Sequence, residues 1–121
     1  MRVFVTKPFA RFADYENIGD AELLDAVRRA EDGLIDADLG GGVIKQRIAR
    51  RGQGRSSGYR SIIVFRKASL AFFVYGFAKK DQGNISIKEL RAFRMLADSM
   101  LNLDEAALSA AKRNGTLMEI G

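Results

Sequence analysis

Leu70-Ala-Phe-Phe-Val-Tyr-Gly-Phe77 is apolar at nearly every position. A strand with one wet face alternates apolar and polar side chains, whereas a strand covered on both faces is apolar throughout. Residues 70–77 therefore predict a strand buried between two layers. Just upstream, Lys67-Ala68-Ser69 is short enough for a hairpin turn, and residues 59–65 supply the partner strand. Residues 43–49 have strand character again. Gly52, Gly54, Ser56, Ser57 and Gly58 mark a loop between those two strands. Three consecutive strands joined this way form an antiparallel meander.

The flanks have a different period. Phe9, Phe12 and Ala13 recur at helical spacing, and so do Leu23, Leu24, Val27 and Ala30 behind a predicted N-cap at Asp20. Asp32-Gly33 ends that second helix. The single proline, Pro8, either sits in the first turn of a helix or ends a short strand at 3–5. Residues 36–42 (Asp-Ala-Asp-Leu-Gly-Gly-Gly) read as a turn or a glycine-rich strand edge. After the meander, Ser86-Ile-Lys-Glu89 matches a capping box, with Leu90, Phe93, Ala97 and Met100 as the apolar stripe behind it. Asp104 caps a further C-terminal helix at about 104–113, which Asn114-Gly115 ends. The expected fold is a single α+β domain over 1–121: a small antiparallel sheet of three to five strands packed with N-terminal and C-terminal helices.

Composition narrows the chemistry. The 121 residues are 47% apolar and 29% charged, an ordinary globular balance. There is no cysteine, which excludes a disulfide scaffold, a zinc ribbon and a thiol nucleophile and suits a reducing compartment. There is no histidine, which removes the commonest general base and metal ligand. Asp36 and Asp38 lack further ligands, so neither a metal nor a cofactor is expected. No apolar run approaches a membrane span and the N-terminus lacks a signal-peptide core, so a cytoplasmic location without membrane contact is expected.

The charge is concentrated. Residues 1–38 carry 5 basic and 9 acidic side chains, and residues 81–121 carry 5 and 6. Residues 39–80 carry 10 basic side chains and no acid. So one-sided a block draws polyanions, nucleic acid above all. In a strand over 43–49, Lys45 and Arg47 project from one face. Arg50, Arg51 and Arg55 follow in the loop and Arg60 opens the partner strand, so the cations converge near one end of the sheet. Lys79 and Lys80 extend the patch, and Tyr75 offers a ring for base stacking. The glycine groups at 40–42 and 52–54 lie at no strand-to-helix junction and are rejected as nucleotide loops.

In order and spacing these residues resemble a known family. Residues 55–65 (Arg-Ser-Ser-Gly-Tyr-Arg-Ser-Ile-Ile-Val-Phe) are similar to the S-G-Y-R segment and following strand of RelE-type toxins of bacterial type II toxin–antitoxin systems, in the RelE/ParE superfamily. The block KxRxAxxGxGxxxGYR from Lys45 to Arg60, then FFVYGFAK and Asn84-Ile85, resembles the HigB-like branch. The likeness covers most of residues 1–103. It implies a RelE-like α+β fold and a ribosome-dependent mRNA endoribonuclease that inhibits translation. It also implies a cognate antitoxin, of helix-turn-helix type in some systems, with operator DNA contacted only through the antitoxin complex. Lys45 and Arg47 match the family's basic pair, Arg60 its strand-opening arginine, and Lys80 its cation after the last strand. Near Ser86 the chain lacks the tyrosine that RelE stacks on the message, and it has none of the histidines that HigB relatives place in the site.

Cleavage by such a toxin requires a 2′-hydroxyl to lose a proton and a 5′-oxygen to gain one. Lys45, crowded by cations and so pushed toward neutrality, is the leading base, with Asp81 as the alternative. Arg47 and Arg60 clamp the phosphate and Lys80 serves the leaving oxygen, while Arg50, Arg51, Arg55, Lys79 and Tyr75 hold RNA. A non-catalytic module that binds RNA or DNA, or regulates a partner, would use the same patch.

Overall fold

The computed structural model describes residues 1–50 and 54–121, with side chains outside 50–57. The elements run β1 (Arg2–Thr6), α1 (Lys7–Tyr15), α2 (Asp20–Glu31), β2 (Ala37–Gly40), β3 (Val43–Arg50), β4 (Gly54–Arg66), β5 (Leu70–Ala78), α3 (Ile87–Met100), α4 (Glu105–Arg113) and β6 (Leu117–Ile120). The described strands form one six-stranded sheet in the order β2-β3-β4-β5-β1-β6. β1 runs parallel to β5, and the other neighbours are antiparallel. The α+β class is as expected, but the sheet exceeds the expected three to five strands and is mixed. The additions come from the chain's ends: β1 docks on β5, and β6, which the sequence reading did not foresee, pairs with β1.

Local chemistry explains the boundaries. Thr6 caps α1, its hydroxyl accepting from the Phe9 N–H at 3.4 Å, and Pro8 sits in the first turn where no intrahelical donor is needed. β1 ends earlier, at that same Thr6, so of the two readings of Pro8 the first-turn one holds. The N-cap of α2 is Gly19, one residue before the expected Asp20. With no side chain there, the Glu22 carboxylate reaches back to the Gly19 N–H at 3.1 Å. At α3 the box is complete: Ser86 Oγ accepts from Glu89 N at 3.1 Å, and Glu89 Oε1 accepts from Ser86 N at 2.8 Å. Asp104 Oδ1 accepts from Ala107 N at 2.8 Å and starts α4. β4 begins at Gly54, so residues 54–58, expected in a loop, extend the hairpin beyond a register shift between Ile48 and Arg50. Gly52 lies outside the described residues.

The sheet is covered on both faces, as Leu70–Phe77 requires. Ala71 and Phe73 of β5 join Val3, Val5, Ile44, Ile48 and Ile63 beneath α1 and α2. Leu70, Phe72 and Val74 join Phe4, Val43, Ile62 and Val64 beneath α3 and α4. Phe4, Phe72 and Phe73 are fully buried, each stabilising the fold by about 2–3 kcal/mol through area removed from water. The face beneath α1 and α2 also holds Gly76, against which the Phe12 and Phe9 rings lie so closely that a Cβ would sit 2.3 Å from Phe12. On the opposite face the C-terminal layer reaches the Tyr75–Phe93 ring contact, at 5.6 Å. Beyond it the outer halves of β3 and β4 carry polar side chains. No described helix is long and apolar enough to cross a membrane.

Candidate functional site

Strand alternation places Lys45 and Arg47 on the face of β3 that carries Val43, and Arg60 on the face of β4 that carries Ile62 and Val64. The register puts Lys45 opposite Ile62, Arg47 opposite Arg60, and Arg60 opposite Phe77. Two arginines directly opposed across an antiparallel pair repel each other, an arrangement that packing alone does not favour. The structure thus brings together the three cations expected from β3 and β4.

Each of the three has a different environment. Arg47 is turned to Asp36, just before β2. Its Nη2 and Nε donate to Asp36 Oδ1 at 2.9 and 3.2 Å, and its backbone N–H donates to Oδ2 at 2.7 Å. Burial pushes the Asp36 carboxyl up, but the Arg47 hydrogen bonds, with the charges of Arg47 and Arg29, hold it below its ordinary value. The acid-free stretch from 39 to 80 is therefore neutralised in part from outside it. Arg29 of α2 lies 3.8 Å from Asp36 and donates to the Arg47 carbonyl, so α2 fixes this corner. A cleft of about 470 Å³ lined by Arg29, Leu34, Ile35, Asp36 and Arg47 opens beside it.

Arg60 lacks such a partner among the described residues. Its Nη1 is buried and makes no hydrogen bond among the described residues. Burial first, and then the charge of Arg47, lower its guanidinium from the ordinary value, with Asp36 in partial opposition. The group still carries its charge at neutral pH. A half-buried cation with an unmet donor is a ready anion site.

Lys45 points to the segment after β5. Its Nζ donates to Asn84 Oδ1 at 3.3 Å. Asn84 Oδ1 also accepts from the Ile85 N–H at 2.9 Å, and the Asn84 carbonyl accepts from Gln82 Nε2 at 2.8 Å. Gln82 Oε1 in turn accepts from the Tyr75 hydroxyl at 2.8 Å. Tyr75 is half-buried, its ring 5.8 Å from Phe77 and 5.6 Å from Phe93. Lys79, Lys80 and Asp81 are exposed in the turn after β5, where the Asp81 and Gln82 N–H groups donate to the Ala78 carbonyl. Ser86 is occupied as the α3 N-cap. The side chains of Arg50, Arg51 and Arg55 lie outside the described residues.

The sequence reading passed over Asp36 as a partner for Arg47 and over Gln82 altogether, and it singled out Asn84 within the resemblance without giving it a contact. It also passed over Gln46, fully buried between Ile44 and Ile48, which donates to the Ala26 and Leu34 carbonyls at 3.0 Å and accepts from the Asp36 N–H at 2.9 Å. A glutamine in the core-facing row of a strand was its legible signal. These bonds fix where Asp36 stands, and through it Arg47.

Comparison with curated proteins finds no match. The model of one family, described as the RelE toxin of the RelE / RelB toxin–antitoxin system, matches residues 1–120. With that match spanning nearly the whole sheet and both helical layers, the chain belongs to the RelE toxin family, and is a RelE-type toxin of a toxin–antitoxin system.

Proposed function

We propose that the protein is an endoribonuclease that cleaves messenger RNA on the ribosome, and that the face formed by Lys45, Arg47 and Arg60 is its active site. The observation that carries this reading is the buried Nη1 of Arg60, unpartnered among the described residues, beside two further cations. In the proposed reaction the 2′-oxygen attacks the adjacent phosphorus, the P–O5′ bond breaks, and a 2′,3′-cyclic phosphate and a free 5′-hydroxyl result. Lys45 takes the 2′-hydroxyl proton. Arg60 donates to the non-bridging oxygens as negative charge builds on them. Arg47 is shared between Asp36 and the phosphate, and Lys80 gives its proton to the departing 5′-oxygen. Lysines and arginines are poorly matched acid–base pairs near neutrality, so the message must be held in line by its surroundings, which favours a ribosome-bound substrate.

Membership in a toxin–antitoxin family implies an antitoxin partner. An acidic segment of it is the natural cover for these cations. The test is a translation extract programmed with a defined message, read for new 5′ ends with and without the protein, beside the same message free of ribosomes. Ends that arise on translated message and are scarce on free RNA are expected. RNA binding without new ends in either arm would overturn the nuclease reading in favour of a non-catalytic module.

A further inference from the structure

Asn84 contacts the proposed base and has no assigned role. We infer that Asn84 is a positioning residue, whose side-chain carbonyl aims the Lys45 amine at the substrate while adding no negative charge beside it. The inference rests on the nuclease reading above for its catalytic meaning.

Three observations support it. First, Lys45 Nζ donates to Asn84 Oδ1 at 3.3 Å, across 39 residues of sequence. Second, Asn84 is itself held: its Oδ1 accepts from Ile85 N, and its backbone carbonyl takes the Gln82 amide, which Tyr75 fixes from within the packed layer. A side chain so anchored has a defined direction, as a group that orients another must. Third, no carboxylate among the described residues lies within ion-pair reach of Lys45. The nearby acid Asp36 is taken up by Arg47 and Arg29. The other charges with described side chains on the surrounding elements are Asp38 on β2, which accepts from Gly40 N, Arg47 on β3, Arg60 and Arg66 on β4, Lys79, Lys80 and Asp81 in the turn, and Lys88, Glu89, Arg91, Arg94 and Asp98 on α3, where Glu89 is engaged by Ser86 N and Arg94 by the Leu39 carbonyl.

The identity of residue 84 matters because of what a base must do. A carboxylate there would orient the amine equally well but would hold its proton and oppose its release to act as base. A neutral amide oxygen gives direction without that penalty. Its second lone pair, bound to Ile85 N, ties the direction to the backbone that leads into α3.

Asn84→Asp is the informative variant, since it keeps the shape and the acceptor for Ile85 N and adds only charge. Its ascending pH–rate limb on translated message should move up by about one pH unit, a roughly tenfold loss at fixed neutral pH. Asn84→Ala removes the aim and should lower kcat about 10–100-fold with little change in KM, since a misdirected reacting group suffers in the chemical step. Thermal melts of both variants report any loss of the Ile85 turn. The contact is read independently of cleavage by NMR titration of the Lys45 Cε resonances in the free protein. There the midpoint should rise in Asn84→Asp relative to wild type. An unchanged midpoint in Asn84→Asp, or an unchanged kcat in a folded Asn84→Ala, overturns the inference. A wild-type protein that cleaves nothing overturns the nuclease reading, while the NMR midpoint still decides whether Asn84 governs the Lys45 amine.

Discussion

Replacing Arg60 with methionine should make the protein more stable and abolish its activity. The Nη1 group is buried without a partner among the described residues, and leaving a buried donor unmet costs about 1–3 kcal/mol. Arg60 also stands opposite Arg47, so its removal relieves a like-charge pair. Methionine retains the unbranched stem, packs against Phe77 opposite, and introduces no unmet donor. A net gain of about 1–2 kcal/mol follows, which for a chain of this length raises Tm by roughly 3–10 °C. Losing the donor to the developing phosphate charge should lower cleavage by about 10²–10³. The assay pairs a thermal melt with primer extension on translated message, and with growth arrest on induction. A melting point below wild type would mean that the arginine is a structural member of the sheet. Cleavage within a few-fold of wild type would remove it from the site.

Lys45→Ala and Arg47→Ala should each reduce cleavage, and the double variant should lose less than the product of the two, because both act on one phosphate; single and double rates from one message set decide it. Only Arg47→Ala should also lower stability, by about 1 kcal/mol, since it removes both guanidinium hydrogen bonds from Asp36 and leaves that carboxylate the residue-47 N–H and the more distant Arg29, and a melt of the two single variants separates them. Gly76→Ala should destabilise by about 1–3 kcal/mol, because its Cβ meets the Phe12 ring at 2.3 Å and Phe9 at 3.0 Å, and denaturant unfolding would show the loss. Glu119 is held at about 2 by Arg2 and Lys112, well below a free glutamate. A carboxyl depressed in the fold stabilises fully above its unfolded value, near 4.3, and loses that contribution as pH falls through the folded value. Melts between about pH 5 and pH 2 should therefore lose on the order of 1 kcal/mol after solvent screening, and Glu119→Gln should remove that part of the dependence.

The parts of the fold legible in advance were those governed by nearby residues. The doubly apolar Leu70–Phe77, the turn at Lys67–Ser69 and the Ser86–Glu89 box each carry their own instructions, and each was found where expected. β6 was not legible, because four residues, Leu-Met-Glu-Ile, have too little period to read, and their partner β1 lies over a hundred positions away. The parallel pairing of β1 with β5 was not legible either, because Arg2 and Leu70 stand opposite each other across α1, α2 and most of the meander between them. Residues 54–58 misled because glycine and serine have low strand propensity, yet pairing with β3, where Gly54 stands opposite Arg50, overrides it. In the site, strand alternation was enough to put Lys45 and Arg47 on one face and to bring Arg60 to the same end of the sheet, while the register of β3 with β4 puts Arg60 on that face. It could not show that Asp36 would take hold of Arg47, that Asn84 would meet Lys45, or that Arg60 would be left with an unmet donor. Those depend on how distant segments close over the sheet.

The pairing of the first strand with the last has a consequence for synthesis. β1 is made at the outset, yet one of its edges waits for residues 117–120. Until they emerge, Val3 and Val5 lie on an unfinished border whose backbone groups can recruit a strand from another chain. The finished sheet is bordered instead by β2 and β6, four residues each. β2 has a register shift, and Glu119 of β6 is clamped by Arg2 and Lys112. Such short, irregular, charge-bearing borders template poorly. The sheet is thus most prone to aggregate before residues 117–120 dock, and a variant lacking them exposes a hazard that their pairing conceals.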